Sequence, residues 1–115
     1  MEPIDEDRFV ELVEAALDEI PEELYAQLDN VAIVVEDRNP DEPTLLGLYE
    51  GIPLIERDDG YFGALPDRIA IYRLALCEMC EDDADLIDEI AVTVVHELAH
   101  HMGIDDDHLH ELGWG

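Results

Sequence analysis

Close to the end of the sequence stand His96-Glu97-Leu98-Ala99-His100, two imidazoles four positions apart with a carboxylate beside the first. Residues four apart on a helix lie one above the other, so the two rings can converge on one point, as a tetrahedral Zn²⁺ asks of two of its ligands. A zinc ion so held lowers the pKa of water toward neutrality, and Glu97 is placed to accept the proton as general base. The chemistry implied is hydrolysis by metal-activated water.

Two imidazoles leave a zinc site short of a ligand. Gly103 follows three residues after His100, and glycine at a helix end takes the left-handed conformation cheaply, reversing the chain so that a residue a few positions on can swing back to the metal. Asp106 lies at the offset where the extended motif HExxHxxGxxH/D puts its last ligand, and a carboxylate oxygen is an ordinary zinc donor. Asp105, Asp107, His108, His110 and Glu111 are within reach of a flexible tail and stay open as alternatives, with plain surface exposure the simpler reading for His108 and His110. His101 points away from His96 and His100 and is expected outside the ligand set. Three protein ligands would leave a fourth position open for a carbonyl, as catalytic zinc sites do.

The element that positions these groups is legible. Between Glu81 and Met102 the apolar residues Leu86, Ile87, Ile90, Ala91, Val94, Val95, Leu98 and Met102 trace a helical stripe, with Asp82, Asp83 and Asp85 at its positive N-terminal end. A first amphipathic helix is expected from Glu6 to Glu19, where Phe9, Leu12, Val13, Ala16 and Leu17 recur at helical spacing and Pro21 stops the pattern. Glu22 to Leu28 adds a short turn of helix, and Val31-Ala32-Ile33-Val34-Val35 has the β-branched density of a buried strand. Asp37 to Pro43 reads as a proline-interrupted loop whose acids lack the glycine and the terminal glutamate of a calcium loop. Leu45 to Glu50 reads as a strand, with Ile52 to Ile55 its hairpin partner after a turn at Gly51 and a further turn at Asp58-Asp59-Gly60. Asp67 to Leu74 alternates as a strand with one solvated face. A short helix is expected around Asp107 to Leu112.

At 115 residues the chain suits one domain spanning 1–115. With 32 Asp and Glu against 5 arginines and no lysine, the formal net charge is -27. A surface of that sign repels phosphate backbones, which argues against nucleic acid as a partner. It attracts cations and basic peptides, although a halophile-like surface explains the acidity equally well. The N-terminus has neither a basic start nor an apolar run, and no later stretch reaches transmembrane length, so a cytoplasmic protein without a membrane partner is expected. Cys77 and Cys80 exclude a disulfide framework, and as a lone CxxC they read as small buried residues.

Three segments resemble the small bacterial zincin-like metallopeptidases, a family of predicted zinc peptidases: Leu45-Leu46-Gly47-Leu48-Tyr49-Glu50-Gly51, Leu65-Pro66-Asp67-Arg68-Ile69-Ala70-Ile71-Tyr72-Arg73, and Val95-His96-Glu97-Leu98-Ala99-His100-His101-Met102-Gly103-Ile104. The resemblance implies an α+β minimal zincin fold, in which a small mixed sheet packs on a backing helix and an active-site helix. It also implies zinc on His96, His100 and Asp106, with Glu97 the catalytic carboxylate. Full-size zincins carry more chain beyond the motif. Tyr49, Tyr72 and Arg73 are candidate donors to a tetrahedral oxyanion, and an edge strand near Ile69 to Leu74 is a candidate surface for pairing with an extended peptide. The expectation is a zinc metalloendopeptidase acting on a peptide or protein substrate. A zinc endoribonuclease fits less well, for want of a Glu97 counterpart and because of the charge. A zinc-stabilised interaction domain that hydrolyses nothing is the alternative from another class, and the oligomeric state is open.

Overall fold

The structure, a computed structural model, describes residues 1–28, 31–51, 67–103 and 107, apart from the side chain of Gln27. Helix α1 spans Glu6–Glu19. It starts on Asp5, whose side chain accepts the Arg8 N–H at 2.8 Å, and so satisfies one of the amide donors a first turn leaves open. A short helix α2, Glu22–Tyr25, and a 3₁₀ turn, Ala26–Leu28, lead to strand β1, Val31–Glu36. Strand β2 is Gly47–Glu50 and strand β3 is Asp67–Tyr72. Helix α3, Arg73–Met79, follows without a break, and helix α4, Asp83–Met102, carries the histidine motif.

The sheet runs β1-β3-β2, with β1 parallel and β2 antiparallel to the central β3. This corrects the sequence reading of β3 in three ways. The strand stops at Tyr72, with Arg73 and Leu74 opening α3 instead; Ile69 to Tyr72 are all buried, so exposure is confined to Arg68 and in part Asp67 at the strand's start; and the strand is central rather than an edge, which removes the proposed peptide-pairing surface. The physical reason is that the small residues Ala70 and Ala75 let a second apolar layer close over the face that the alternation assigned to water. In that layer Ala70, Tyr72 and Ala75 pack with Val34, Leu45 and Leu46.

On the opposite face lies the main core. Phe9, Leu12, Val13 and Ala16 of α1 meet Leu86, Ile90, Val94 and Leu98 of α4 over Ile69 and Ile71 of β3. Burying each large aliphatic or aromatic side chain contributes roughly 1.5–3 kcal/mol, so this layer fixes α4 against the sheet. Its N-terminus is fixed too: Asp82 accepts the Asp85 N–H at 2.8 Å and Asp85 accepts the Glu81 N–H at 3.0 Å. Arg8 bridges Glu11 and Asp83, joining the starts of α1 and α4. No described helix is long and apolar enough to cross a membrane. The expected partner strand Ile52 to Ile55 and the turn Asp58-Asp59-Gly60 lie outside the described residues, as does the tail after Gly103 except for the helical Asp107.

Candidate metal and catalytic site

Helical periodicity puts Glu89, Thr93, His96 and His100 on one side of α4, the side turned toward β2 and away from the α1 core. Together with Val92 and Glu97 of the helix, and with Glu42 and Thr44 to Gly47 from the chain entering β2, they line a groove of about 500 Å³. His96 is half-buried and His100 exposed. Their ring centroids are 6.3 Å apart at an interplanar angle of 37°. Rings sharing a tetrahedral zinc through bonds of about 2.0–2.1 Å have centroids roughly 5 Å apart. The two imidazoles are donors of the type zinc takes, and among the described residues no third His, Cys, Asp or Glu joins them in a group that could hold a metal ion. The third ligand expected from the sequence, Asp106, lies outside the described residues, as do Asp105, His108, His110 and Glu111; Asp107 is exposed.

Glu97 lies beside the second imidazole, its Oε2 3.7 Å from His100 Nδ1. Burial pushes its carboxyl above the ordinary carboxylate range, against the opposing influence of His100, of a backbone hydrogen bond from Tyr49 and of His96. A carboxylate raised by desolvation holds a proton more readily than an exposed one, which suits a group that must take a proton and release it again. The helix ends where the glycine was expected to end it. Gly103 adopts φ 77° and ψ 18°, and its N–H bonds the carbonyls of Ala99 and His100. His101 lies outside the imidazole pair, stacked on the Tyr49 ring at a centroid distance of 3.9 Å.

The three candidate oxyanion donors each have a polar partner elsewhere, although Arg73 Nε is buried without one. The Tyr49 hydroxyl donates to Asp67 at 2.8 Å, and the buried Tyr72 hydroxyl accepts from Asn39 at 3.0 Å. Arg73 donates to the Ile4 carbonyl and to Asp37. Neither Tyr72 nor Arg73 lines the groove. Asn39 also accepts the N–H groups of Asp41 and Glu42, which shapes the loop that forms the groove's outer wall. Cys77 and Cys80 are buried, and burial pushes the Cys80 thiol up to about 11, so neither is placed for redox or ligand chemistry.

The sequence reading passed over Gly47, Thr93 and the Tyr49 amide. Signals for two of them were there: a glycine inside a strand pattern marks a close backbone approach, and Thr93 is the one hydroxyl in the apolar run Ile90-Ala91-Val92-Thr93-Val94-Val95, three residues before His96.

The geometry has counterparts among known proteins. A conserved hypothetical protein from Thermo thermophilus is similar in structure, with 32% identity and a TM-score of 0.56 over 86% of this chain and 94% of that one. No curated protein sequence gives a significant match. The zincin-like metallopeptidase family matches residues 28–114, a span that takes in β1, β2, β3 and the whole of α4. With a mixed sheet that has three strands among the described residues, helices packed on it and the HExxH face of α4 opening on a groove, the chain belongs to the zincin-like metallopeptidase family.

Proposed function

We propose that the protein is a zinc-dependent peptidase that hydrolyses extended peptides lying in the groove between β2 and α4, with His96, His100 and Asp106 as metal ligands and Glu97 as general base. One observation supports the reading: Glu97 is a desolvated carboxylate beside the His100 imidazole, and with His96 and His100 it lines a groove of about 500 Å³. Zinc, when bound, would polarise the substrate carbonyl and acidify water. Glu97 takes the proton from the attacking water and passes it to the departing amine nitrogen, and its raised affinity for protons supports both transfers.

The groove also speaks to the kind of peptide. Glu42 and Glu89 line it beyond the histidines, and no described arginine does. The four described arginines are each paired with a carboxylate: Arg8 with Glu11 and Asp83, Arg38 with Glu78, Arg68 with Glu50, Arg73 with Asp37. An acidic groove on a chain of net charge -27 favours substrates with basic side chains and disfavours nucleic acid.

Elemental analysis of the wild type beside His96→Ala, followed on the same samples by cleavage of a mixed peptide library with and without Glu97→Gln, tests the reading. One zinc per chain, lost in His96→Ala, with cleavage that depends on Glu97 and is enriched at basic residues is the expected outcome. Zinc without cleavage would point instead to a zinc-stabilised interaction domain, and a wild type without metal would reject the site.

A further inference from the structure

Gly47 stands at the start of β2, where the strand passes over α4. A methyl group in place of its hydrogen would lie 2.6 Å from Thr93 Cγ2, 3.1 Å from the Ala70 carbonyl oxygen and 3.8 Å from Glu97 Cγ. Carbon atoms rest about 3.5–4.0 Å apart, so any larger residue must lift the strand from the helix or push Thr93 aside. Thr93 is poorly able to give way: it is β-branched, 8% exposed, and its hydroxyl donates to the Glu89 carbonyl at 2.7 Å, which leaves the methyl turned to the strand. Backbone conformation is not what calls for glycine here, since among the described glycines only Gly103 has positive φ. Behind Gly47 the strand is held in register on β3 by its pairing with Ile71. Two residues further on, the Tyr49 amide bonds the Glu97 carboxylate and the Tyr49 ring stacks on His101.

We propose that Gly47 is a positioning residue for Glu97: its missing side chain lets β2 seat on Thr93, and that contact sets the height of the Tyr49 backbone above α4 and so holds the Glu97 carboxylate beside His100. The inference rests on the reading of Glu97 as general base. A β-carbon at position 47 lifts the strand and frees the carboxylate. The imidazoles, fixed by their own helix, stay where they are.

The test uses the full chain as Gly47→Ala, Thr93→Ser and the two combined, with Glu97→Ala as reference. Three quantities are read: hydrogen exchange of the Tyr49 amide in metal-free protein, cobalt affinity, and kcat and KM on the best peptide from the library. Gly47→Ala and Glu97→Ala should each speed Tyr49 exchange by about tenfold, through loss of the acceptor. Gly47→Ala should lower kcat by roughly a hundredfold, the scale of a misplacement near 1 Å, with KM and cobalt affinity within about threefold of wild type. Thr93→Ser deletes the clashing methyl, and in the combined variant it should recover most of both losses. If Gly47→Ala alone does not fold, the combined variant against Thr93→Ser reads the same quantities with the clash relieved, and slow exchange with near-normal kcat is then expected. Unchanged exchange and kcat in Gly47→Ala, or losses that Thr93→Ser does not repair, would overturn the inference. A wild type that cleaves nothing while the exchange pattern holds would reject the peptidase reading alone; an active wild type with unresponsive exchange would reject the positioning role alone.

Discussion

Along α4, Leu86, Ile90 and Val94 of the first turns are sealed at 0% exposure, whereas in the last turns the Glu97 side chain is 20% exposed and that of His100 60%. Leu86, Ile90 and Val94 pack in the core with α1 and β3, as Leu98 and Ala99 still do further on, whereas Glu97 and His100 continue the groove face that Glu89 and Thr93 begin. One rigid element thus joins a part that stabilises the fold to a part that does not need to. Anchoring at one end lets the other display imidazoles to solvent and keep a carboxylate where burial raises its proton affinity, an arrangement unfavourable to folding and of the kind the proposed catalysis uses.

Glu97→Gln probes the comparison most strongly. Removing the proposed general base should lower kcat by about 10²–10⁴-fold with zinc content unchanged. The same change should raise the denaturation midpoint of metal-free protein at neutral pH, because a neutral amide of the same shape replaces a desolvated carboxylate. The sign follows from linkage: the folded-state affinity for protons exceeds the unfolded one, so stability falls as pH rises through the folded pKa, and glutamine removes that loss. A Glu97→Gln protein less stable than wild type would show the carboxylate to be part of the scaffold. Next in size is Ile90→Ala on the packing half, expected to cost about 2–5 kcal/mol in equilibrium unfolding. His100→Ala, at the exposed end of the same helix, should change metal-free stability by no more than about 0.5 kcal/mol. Comparable losses in the two variants would erase the distinction between the halves.

Both halves of α4 were readable, for different reasons. The packing half announced itself through a long apolar stripe bounded by Asp82 and Gly103; the helix begins within two residues of the expected start and ends on the expected residue. The histidine half carried residue types suited to metal chemistry at a spacing that puts them on one helix face, which is where the structure has His96 and His100. Helix α1 was equally plain, since its stripe and Pro21 stop are local signals. What local pattern could not supply was the layer order. Alternation in Asp67 to Leu74 is the same for an edge strand and for a central one covered by small residues, and only the placement of Val34, Leu45 and Leu46 over Ala70 and Ala75 decides between them. Helix α3 was hidden for a related reason, because Leu74-Ala75-Leu76-Cys77 is an apolar run too short for helical and strand periodicity to be told apart. In the groove, Gly47 and Thr93 act only as a pair from two distant segments, so neither is informative until β2 is known to cross α4.

The two glycines at the ends of the site differ in what a side chain would meet. At Gly103 an added β-carbon finds nothing within 4 Å but must adopt φ 77°, whereas at Gly47 the backbone is ordinary and the space is filled. Gly103→Ala should therefore cost about 1–2 kcal/mol, the usual penalty for an L-residue in the left-handed region, with little change in Tyr49 exchange. Gly103→Asn should recover part of it, since asparagine tolerates that region better. Calorimetry on the three proteins checks this, and equal losses in the alanine and asparagine variants would mean that contact rather than conformation is at stake.

The smallest effect expected is at Glu19, the last residue of α1, which faces Asp88 on the packing half of α4. Its carboxyl is pushed up, first by desolvation and then by the charge and hydrogen bonding of Asp88. Both groups are exposed, so solvent screens the repulsion. At neutral pH the folded chain carries a like-charge contact that unfolding relieves. As with Glu97, the folded state binds its proton more tightly than the unfolded one, so stability rises as pH falls through the folded pKa and is lost as pH climbs through it. Glu19→Gln should raise stability at pH 7.5 by only about 0.2–0.5 kcal/mol, the scale of an exposed charge pair, and that gain should shrink toward zero as the pH approaches about 4, where carboxylates take up protons. Urea titrations of the two proteins across this range measure it. A gain independent of pH would assign the effect to helix propensity instead of charge. A gain larger than that of Glu97→Gln at the same pH would invert the comparison, placing the greater electrostatic strain on the packing half of α4.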